Sequence, residues 1–276
     1  MAVAVRAPEG DIRLHTEPLN AAIYDGAISR LPVLRGLISL WDALGLGTKA
    51  LMWSAEIAAG EEEQGGFGEV VGWVAVLLGV GLAVGLFMVL PSLLVGLLPF
   101  EMSALVDNLL EGFVRTVVIV GYIWAVGWMP DISRVYAYHG AEHKTINAYE
   151  DGSPLSIEIV GSYPTAHPRC GTAFLLTVAV ISILVFSPLG RPPLLVRIAS
   201  RILFVPIIAG ISYEFTRFSA RHSDWFLFRW LLRPSLALQR LTTREPSEDM
   251  LQVAVAALEA VLAGEGVPEA VPEPAR

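Results

Sequence analysis

The sequence predicts an all-α polytopic membrane protein with four transmembrane helices, an interfacial amphipathic helix, a small N-terminal β-hairpin and a C-terminal soluble helix. Three observations carry that prediction. Hydrophobic residues make up 54% of the chain and charged residues 17%, with mean hydropathy +0.58, too apolar for an ordinary soluble domain. Val70 to Leu98 holds no charge and exceeds the ~20 residues needed to cross hydrocarbon. Three further apolar runs follow, at 108–129, Ala173 to Leu189 and Leu194 to Tyr213.

Residues 1–68 form the N-terminal part. Val3, Val5, Ile12 and Leu14 alternate around Pro8-Glu9-Gly10-Asp11, the pattern of a hairpin. His15 falls in its second arm and reads as a surface residue. No long apolar core with a cleavage site follows Met1, so no signal peptide is expected. Leu34, Leu37, Ile38, Trp41 and Leu44 have helical period, but Arg35, Asp42 and Lys49 interrupt the run. This fits a helix lying in the membrane interface, with Trp41 and Trp53 at headgroup level; a re-entrant segment is the alternative. Glu61 to Gly68 reads as a polar linker.

Residues 69–214 form the membrane domain. Pro91 kinks or ends the first span. The second span enters through Asp107, Glu111 and Arg115 and leaves at Trp124, Trp128 and Met129-Pro130. Asp131 to Glu150 then has helix-compatible spacing without proline. Asp151-Gly152-Ser153-Pro154 is a turn, and Leu155 to Val160 reads as a short strand. The fourth span carries Arg197 and Arg201 at i and i+4, the spacing of Asp107 and Glu111 on the second. Pairing between the two sets is the plain expectation for charges in lipid, and binding of a substrate or lipid phosphate the sharper one.

Residues 215–263 carry Arg217, Arg221, His222, Arg229 and Arg233 among aromatics, a basic interfacial segment, followed by a helix opened by Ser247. Glu248 and Asp249 favour its first turn; Leu251, Val255, Leu258 and Leu262 form its apolar stripe, and Gly264 ends it. Residues 264–276, rich in Pro, Glu and Ala, read as disordered. The net charge is −8 and no basic run is present, which argues against nucleic acid as a partner. The expected partner is the lipid bilayer, with homo-oligomerisation open.

The chemistry concentrates in Tyr138-His139-Gly140-Ala141-Glu142-His143-Lys144. On a helix, His139 and His143 share one face with Glu142 beside them. Two imidazoles one turn apart can hold one divalent metal, and a neighbouring carboxylate can act as base on metal-bound water. His-x-x-Glu-His is also the signature of inverzincin metallopeptidases. With four spans, the end of the second, the start of the third and the end of the fourth lie on one side. That places His139, His143, Glu214, His167 and Cys170 where they can converge as ligands, with Glu142 catalytic and Glu214 the preferred third ligand. Cys170 is the sole cysteine, so no intrachain disulfide can form. It opens a helix beside Arg169 and His167, which also makes a Cys–His nucleophile conceivable.

From Arg35 onward the chain resembles the YqhQ-like family of bacterial membrane proteins. The resemblance rests on Arg35-Gly36, Lys49-Ala50-Leu51-Met52-Trp53-Ser54-Ala55, the His139–His143 block with Glu150, His167-Pro168-Arg169-Cys170-Gly171-Thr172, Ile211-Ser212-Tyr213-Glu214 and Gln239-Arg240-Leu241-Thr242-Thr243-Arg244-Glu245-Pro246. It implies a polytopic membrane protein with a predicted metal dependence.

The expectation is therefore an inner-membrane protein, both termini cytoplasmic, with a divalent metal, zinc by its ligand types, in a hydrolytic and peptidase-like site. A metal-stabilised scaffold or assembly factor is the alternative, and a small oligomeric transporter or channel the third. Positive charge orients the chain: Arg134, Lys144, Arg169, Arg217, Arg221, Arg229 and Arg233 on one side, Arg115, Arg191 and Arg197 on the other.

Overall fold

The computed structural model describes residues 1–19, 26, 30–59, 69–99, 103–168, 170–190, 192–222 and 225–265. The expected linker at 61–68 and all but the start of the expected disordered tail lie outside them. Among these residues the fold is helical, with one two-stranded sheet.

Strands β1 (Ala2–Arg6) and β2 (Ile12–Thr16) pair antiparallel with Ala4 opposite Leu14, the expected hairpin. Gly10, at φ 98°, makes its turn. Helix α1 (Leu34–Ala59) follows. Helix α2 (Glu69–Val84) runs through a π-helical turn, Gly85–Val89, into α3 (Leu90–Gly96). Pro91 sits in the first turn of α3 and does not end the helix. It has no N–H to give the carbonyl of Phe87 four residues back, so that carbonyl needs another donor. Arg115 Nε supplies it at 3.0 Å.

Helix α4 (Ala104–Val126) starts where Ser103 Oγ accepts from the Val106 N–H, with Asp107 in its first turn. Helix α5 (Pro130–Glu150) has proline at its first position and ends before Gly152, whose φ is 73°. The short strand expected at 155–160 is instead the start of a helix, α6 (Ile157–Ser162). Ile157 and Val160 are three residues apart, so one helical turn buries both against the C-terminal helix, where alternation could not.

Helix α7 (Thr172–Phe186) leads through a 3₁₀ turn, Ser187–Leu189, to Gly190 and then α8 (Leu194–Arg221). α8 runs past the expected end at Tyr213. The basic segment after it contains α9 (Phe226–Thr242), and α10 (Glu248–Gly264) follows Ser247 as expected.

Among the described residues three helices are long and apolar enough to cross a membrane: Gly72–Gly96, Leu105–Val126 and Leu195–Ser219. Phe174–Leu189, the expected third span, is apolar but shorter. α7 packs on α4, α8 and α9, while α1 packs on α8. Gly36 permits that last contact, because a Cβ there would come within 2.7 Å of the Tyr213 ring.

A second cluster lies outside the apolar helices. Ala141, Ala148, Val160, Leu251 and Val255 bury one another between α5, α6 and α10. The hairpin packs on α10, where Arg6 Nη2 donates to Gln252 Oε1 at 2.7 Å. The hairpin and the last described helix thus meet in one lobe with the histidine helix, although the sequence suggests separate segments.

Candidate metal centre

α5 places His139 and His143 one turn apart on one face, with ring centroids 4.3 Å apart. The Nδ1–H of His139 donates to the Thr242 carbonyl at 2.9 Å, and that of His143 to the Thr165 carbonyl at 2.6 Å. A carbonyl can only accept, so both Nδ1 atoms carry hydrogen. Each neutral ring then keeps its lone pair on Nε2. Cys170 Sγ lies 3.3 Å from His139 Nε2. One ligand atom from each of His139, His143 and Cys170 falls within 4.8 Å of the others.

The sequence explains why the parts meet. Gly140 lies against the backbone of Arg244, where a Cβ would overlap the carbonyl oxygen. This close approach brings the link between α9 and α10 onto α5, and with it the Thr242 carbonyl. Arg244 N–H donates to the Tyr136 carbonyl at 2.9 Å, and Lys144 Nζ reaches Glu245 at 2.6 Å and the Gly161 carbonyl at 2.7 Å. The loop before α7 is held by Gln239, which accepts from the His167 N–H at 3.0 Å and donates to its carbonyl at 2.9 Å. Asn147 Nδ2 donates to the carbonyls of Pro164 and Ala166.

Cys170 ends this loop just ahead of α7. Thr172 offers its sulfur both the N–H, at 3.5 Å, and the hydroxyl, at 3.0 Å. Burial opposes the thiolate, but hydrogen bonds from His139, His143 and Thr172 outweigh it and lower the thiol to about 5. The hydrogen bond with Cys170 raises His139, against burial, with the Thr242 carbonyl and Glu142 adding to the rise.

Three of the expected ligands converge: His139, His143 and Cys170. His167 is close but not part of this cluster; its ring centroid is 5.8 Å from that of His143, and its Nε2 lies 3.3 Å from Glu150 Oε2. Glu214, the expected third ligand, is engaged elsewhere. Arg35 Nε donates to its Oε1 at 2.6 Å, Arg35 Nη2 pairs with its Oε2, and it accepts from the Val33 N–H at 3.3 Å. Glu142 is exposed beside His139. Arg169 lies outside the described residues.

The donor set of two imidazoles and a thiolate, with both rings fixed through Nδ1, fits a zinc-type ion. Sequence reasoning missed the carbonyls of Thr165 and Thr242 and the clamp by Gln239. The only signal for the last two was the Gln239–Pro246 block, which had no role assigned.

Helices long and apolar enough to cross a membrane, joined to a small lobe with a His–His–Cys cluster, define a helical protein with a candidate metal centre. Residues 31–264 match the model of a family described as "Protein of unknown function (DUF1385)", and the chain belongs to that family. It is 28% identical over 283 residues to the uncharacterized protein YqhQ of Bacillus subtilis (strain 168), covering 96% of this chain and 88% of that relative. No solved structure matches it.

Proposed function

We propose that this is a multi-pass protein of the inner membrane whose cytoplasmic face holds a divalent metal, zinc by its donors, and hydrolyses a peptide-like bond near the membrane. One observation carries the reading. The Nδ1–H groups of His139 and His143 are both spent on backbone carbonyls, which leaves their Nε2 atoms free to ligate beside the Cys170 sulfur, with one ligand atom from each residue within 4.8 Å of the others. Three protein donors are the number that catalytic zinc sites use, and structural sites use four.

A divalent ion held there would lower the pKa of a bound water and polarise a carbonyl. Thr165 and Thr242 hold the two rings in the ligating tautomer. Thr172 and the start of α7 favour the thiolate. Glu142, exposed beside His139, is the group able to take a proton at the solvent side. The membrane reading adds Phe174–Leu189 as a short fourth span, which puts both ends of the chain and residues 131–170 on the cytoplasmic side.

A second reading is a metal-stabilised scaffold. It is favoured by burial: His143 is 4% exposed, His167 6% and Cys170 7%, and the cluster joins α5, the loop before α7 and the link before α10. Metal analysis of two variants separates the readings. His143→Ala should lose the metal. Glu142→Gln should keep metal and fold but lose hydrolysis of a peptide substrate. Full occupancy in His143→Ala removes the site, and loss of metal in Glu142→Gln favours the scaffold.

A further inference from the structure

At the other end of α4 lies a second polar centre, inside the apolar helices. Asp107 and Val126 are separated by about 28 Å of helix rise, so it is remote from the histidines. Five charged side chains are buried there: Asp107 1% exposed, Glu111 1%, Arg115 7%, Arg197 3% and Arg201 2%. Arg197 Nη2 pairs with Asp107 at 3.2 Å. Glu111 is shared, taking Arg201 Nε at 2.9 Å, Arg201 Nη2 at 3.0 Å, Arg115 Nη2 at 2.8 Å and the Ser92 hydroxyl at 2.9 Å.

Among the described residues the charges do not balance: three arginines face two carboxylates, a surplus of one positive charge. Burying an unbalanced charge at membrane depth is expensive and marks a functional site more often than a structural one. The donors do not balance either. Arg201 spends Nε and Nη2 on Glu111 and Asn108, while its buried Nη1 has no hydrogen-bond partner and the guanidinium lies over the Phe186 ring, 3.8 Å from its centroid. Arg197 Nη1 makes only a long bond of 3.5 Å to the Ser92 carbonyl.

One side of Arg197 is only thinly covered. Gly96 is exposed, and a Cβ on it would stand 3.8 Å from Arg197 Nη1. The guanidinium is therefore covered on that side by a residue with no side chain. Arg197 lies in the first turn of α8, whose N-terminus adds a positive partial charge, and on the proposed membrane reading this end of the helix stands near the lipid headgroups. The π-helical turn beside it, whose Phe87 carbonyl Arg115 occupies, is a kind of helix defect often found at functional sites.

We propose that Arg197 and Arg201, entered past Gly96, bind a phosphate-type oxyanion that neutralises the surplus charge. The phosphate of a membrane lipid and free inorganic phosphate share this chemistry. The site is separate from the metal centre and does not depend on it.

The test is a thermal melt of the full chain in a zwitterionic detergent. It is titrated with inorganic phosphate, or with phosphatidylglycerol against phosphatidylcholine as the neutral control. A saturable rise in Tm is expected with phosphatidylglycerol. A rise with inorganic phosphate as well makes the free anion a sufficient ligand; a rise with the lipid alone assigns the site to headgroups. Two variants locate the effect. Gly96→Leu covers Arg197 without touching an ion pair. Arg201→Lys keeps the charge beside Glu111 and removes Nη1. Each should weaken the apparent affinity on the order of tenfold, the worth of one hydrogen bond to a charged group. No rise with either probe overturns the proposal. So does an equal rise in both variants, which would place the anion on the arginines after α8.

Discussion

The side-chain amide of Gln239 grips both sides of one residue, accepting from the His167 N–H at 3.0 Å and donating to the His167 carbonyl at 2.9 Å. Gln239 is 1% exposed, so both bonds are made away from water. His167 stands three residues before Cys170, and the Cys170 N–H donates to the same His167 carbonyl at 3.3 Å. The clamp on α9 thus sets where the sulfur stands relative to His139.

Gln239→Leu keeps the volume and removes both bonds. The expected cost is about 1–3 kcal/mol of stability for the orphaned peptide groups. Affinity for cobalt, as a spectroscopic substitute for zinc, should fall about 10–100-fold, the usual effect of losing a group that orients a metal ligand. The sulfur-to-cobalt absorption reports the sulfur position directly. Val95→Ala, a buried change on α3, controls for general destabilisation. An equal loss of cobalt affinity in both variants would mean that Gln239 acts only through stability.

The fold was largely legible because its signals are local. The uncharged run after Val70, the helix-compatible spacing from Asp131 to Glu150 and the Ser247-Glu248-Asp249 start each identify a helix without reference to anything distant. The strand expected at 155–160 failed for the opposite reason: its apolar residues answer to α10, some 95 positions on. The site divides in the same way. His139 and His143 were readable from i, i+4 spacing on one helix. Choosing between Cys170 and Glu214 needed packing, since Glu214 is held by Arg35 through the contact of α1 with α8. Backbone carbonyls such as those of Thr165 and Thr242 carry no sequence signal at all.

The expected pairing of charges within the apolar helices is present, with one addition. Arg197 meets Asp107 and Arg201 meets Glu111, but Arg115 shares Glu111. Arg201→Leu should therefore destabilise by on the order of 3–5 kcal/mol, because it leaves Glu111 short of a buried partner. Replacing Asp107, Glu111, Arg115, Arg197 and Arg201 together with apolar residues should cost less than that single change. A chemical or thermal melt in detergent compares the two proteins. A silent Arg201→Leu would show that these arginines reach the headgroups instead of the carboxylates.

Topology can be checked with two cysteines introduced in a Cys170→Ser background. Ser153 lies in the turn after α5, and Leu189, 42% exposed, lies between α7 and α8. Leu189 is preferable to its neighbour Gly190, whose φ of 67° disfavours any side chain. With Phe174–Leu189 spanning, a membrane-impermeant thiol reagent applied to intact cells should label the cysteine at 189 and not the one at 153. Labelling of both from the same side would reduce the chain to the three long spans.

The pH dependence of the site follows from the opposite shifts of its two partners. In the folded protein the Cys170 thiol lies at about 5, below the roughly 8.5 of an unfolded chain. Its thiolate therefore adds stability that is complete above about pH 8.5, declines as the pH falls and is gone once it passes through 5. His139 is raised, so its contribution is complete below the unfolded value of about 6.5 and is lost as the pH rises through the folded one. The thiolate–imidazolium pair should stabilise the metal-free protein most between those two unfolded values. Cys170→Ser removes the pair, so the gap in Tm between wild type and variant should be widest near neutrality and close on acidification. The thiolate absorbance of the wild type, taken as the difference from Cys170→Ser, should disappear with a midpoint near pH 5. A midpoint near pH 8.5, with a gap that does not change with pH, would show an ordinary thiol and remove the electrostatic part of the site.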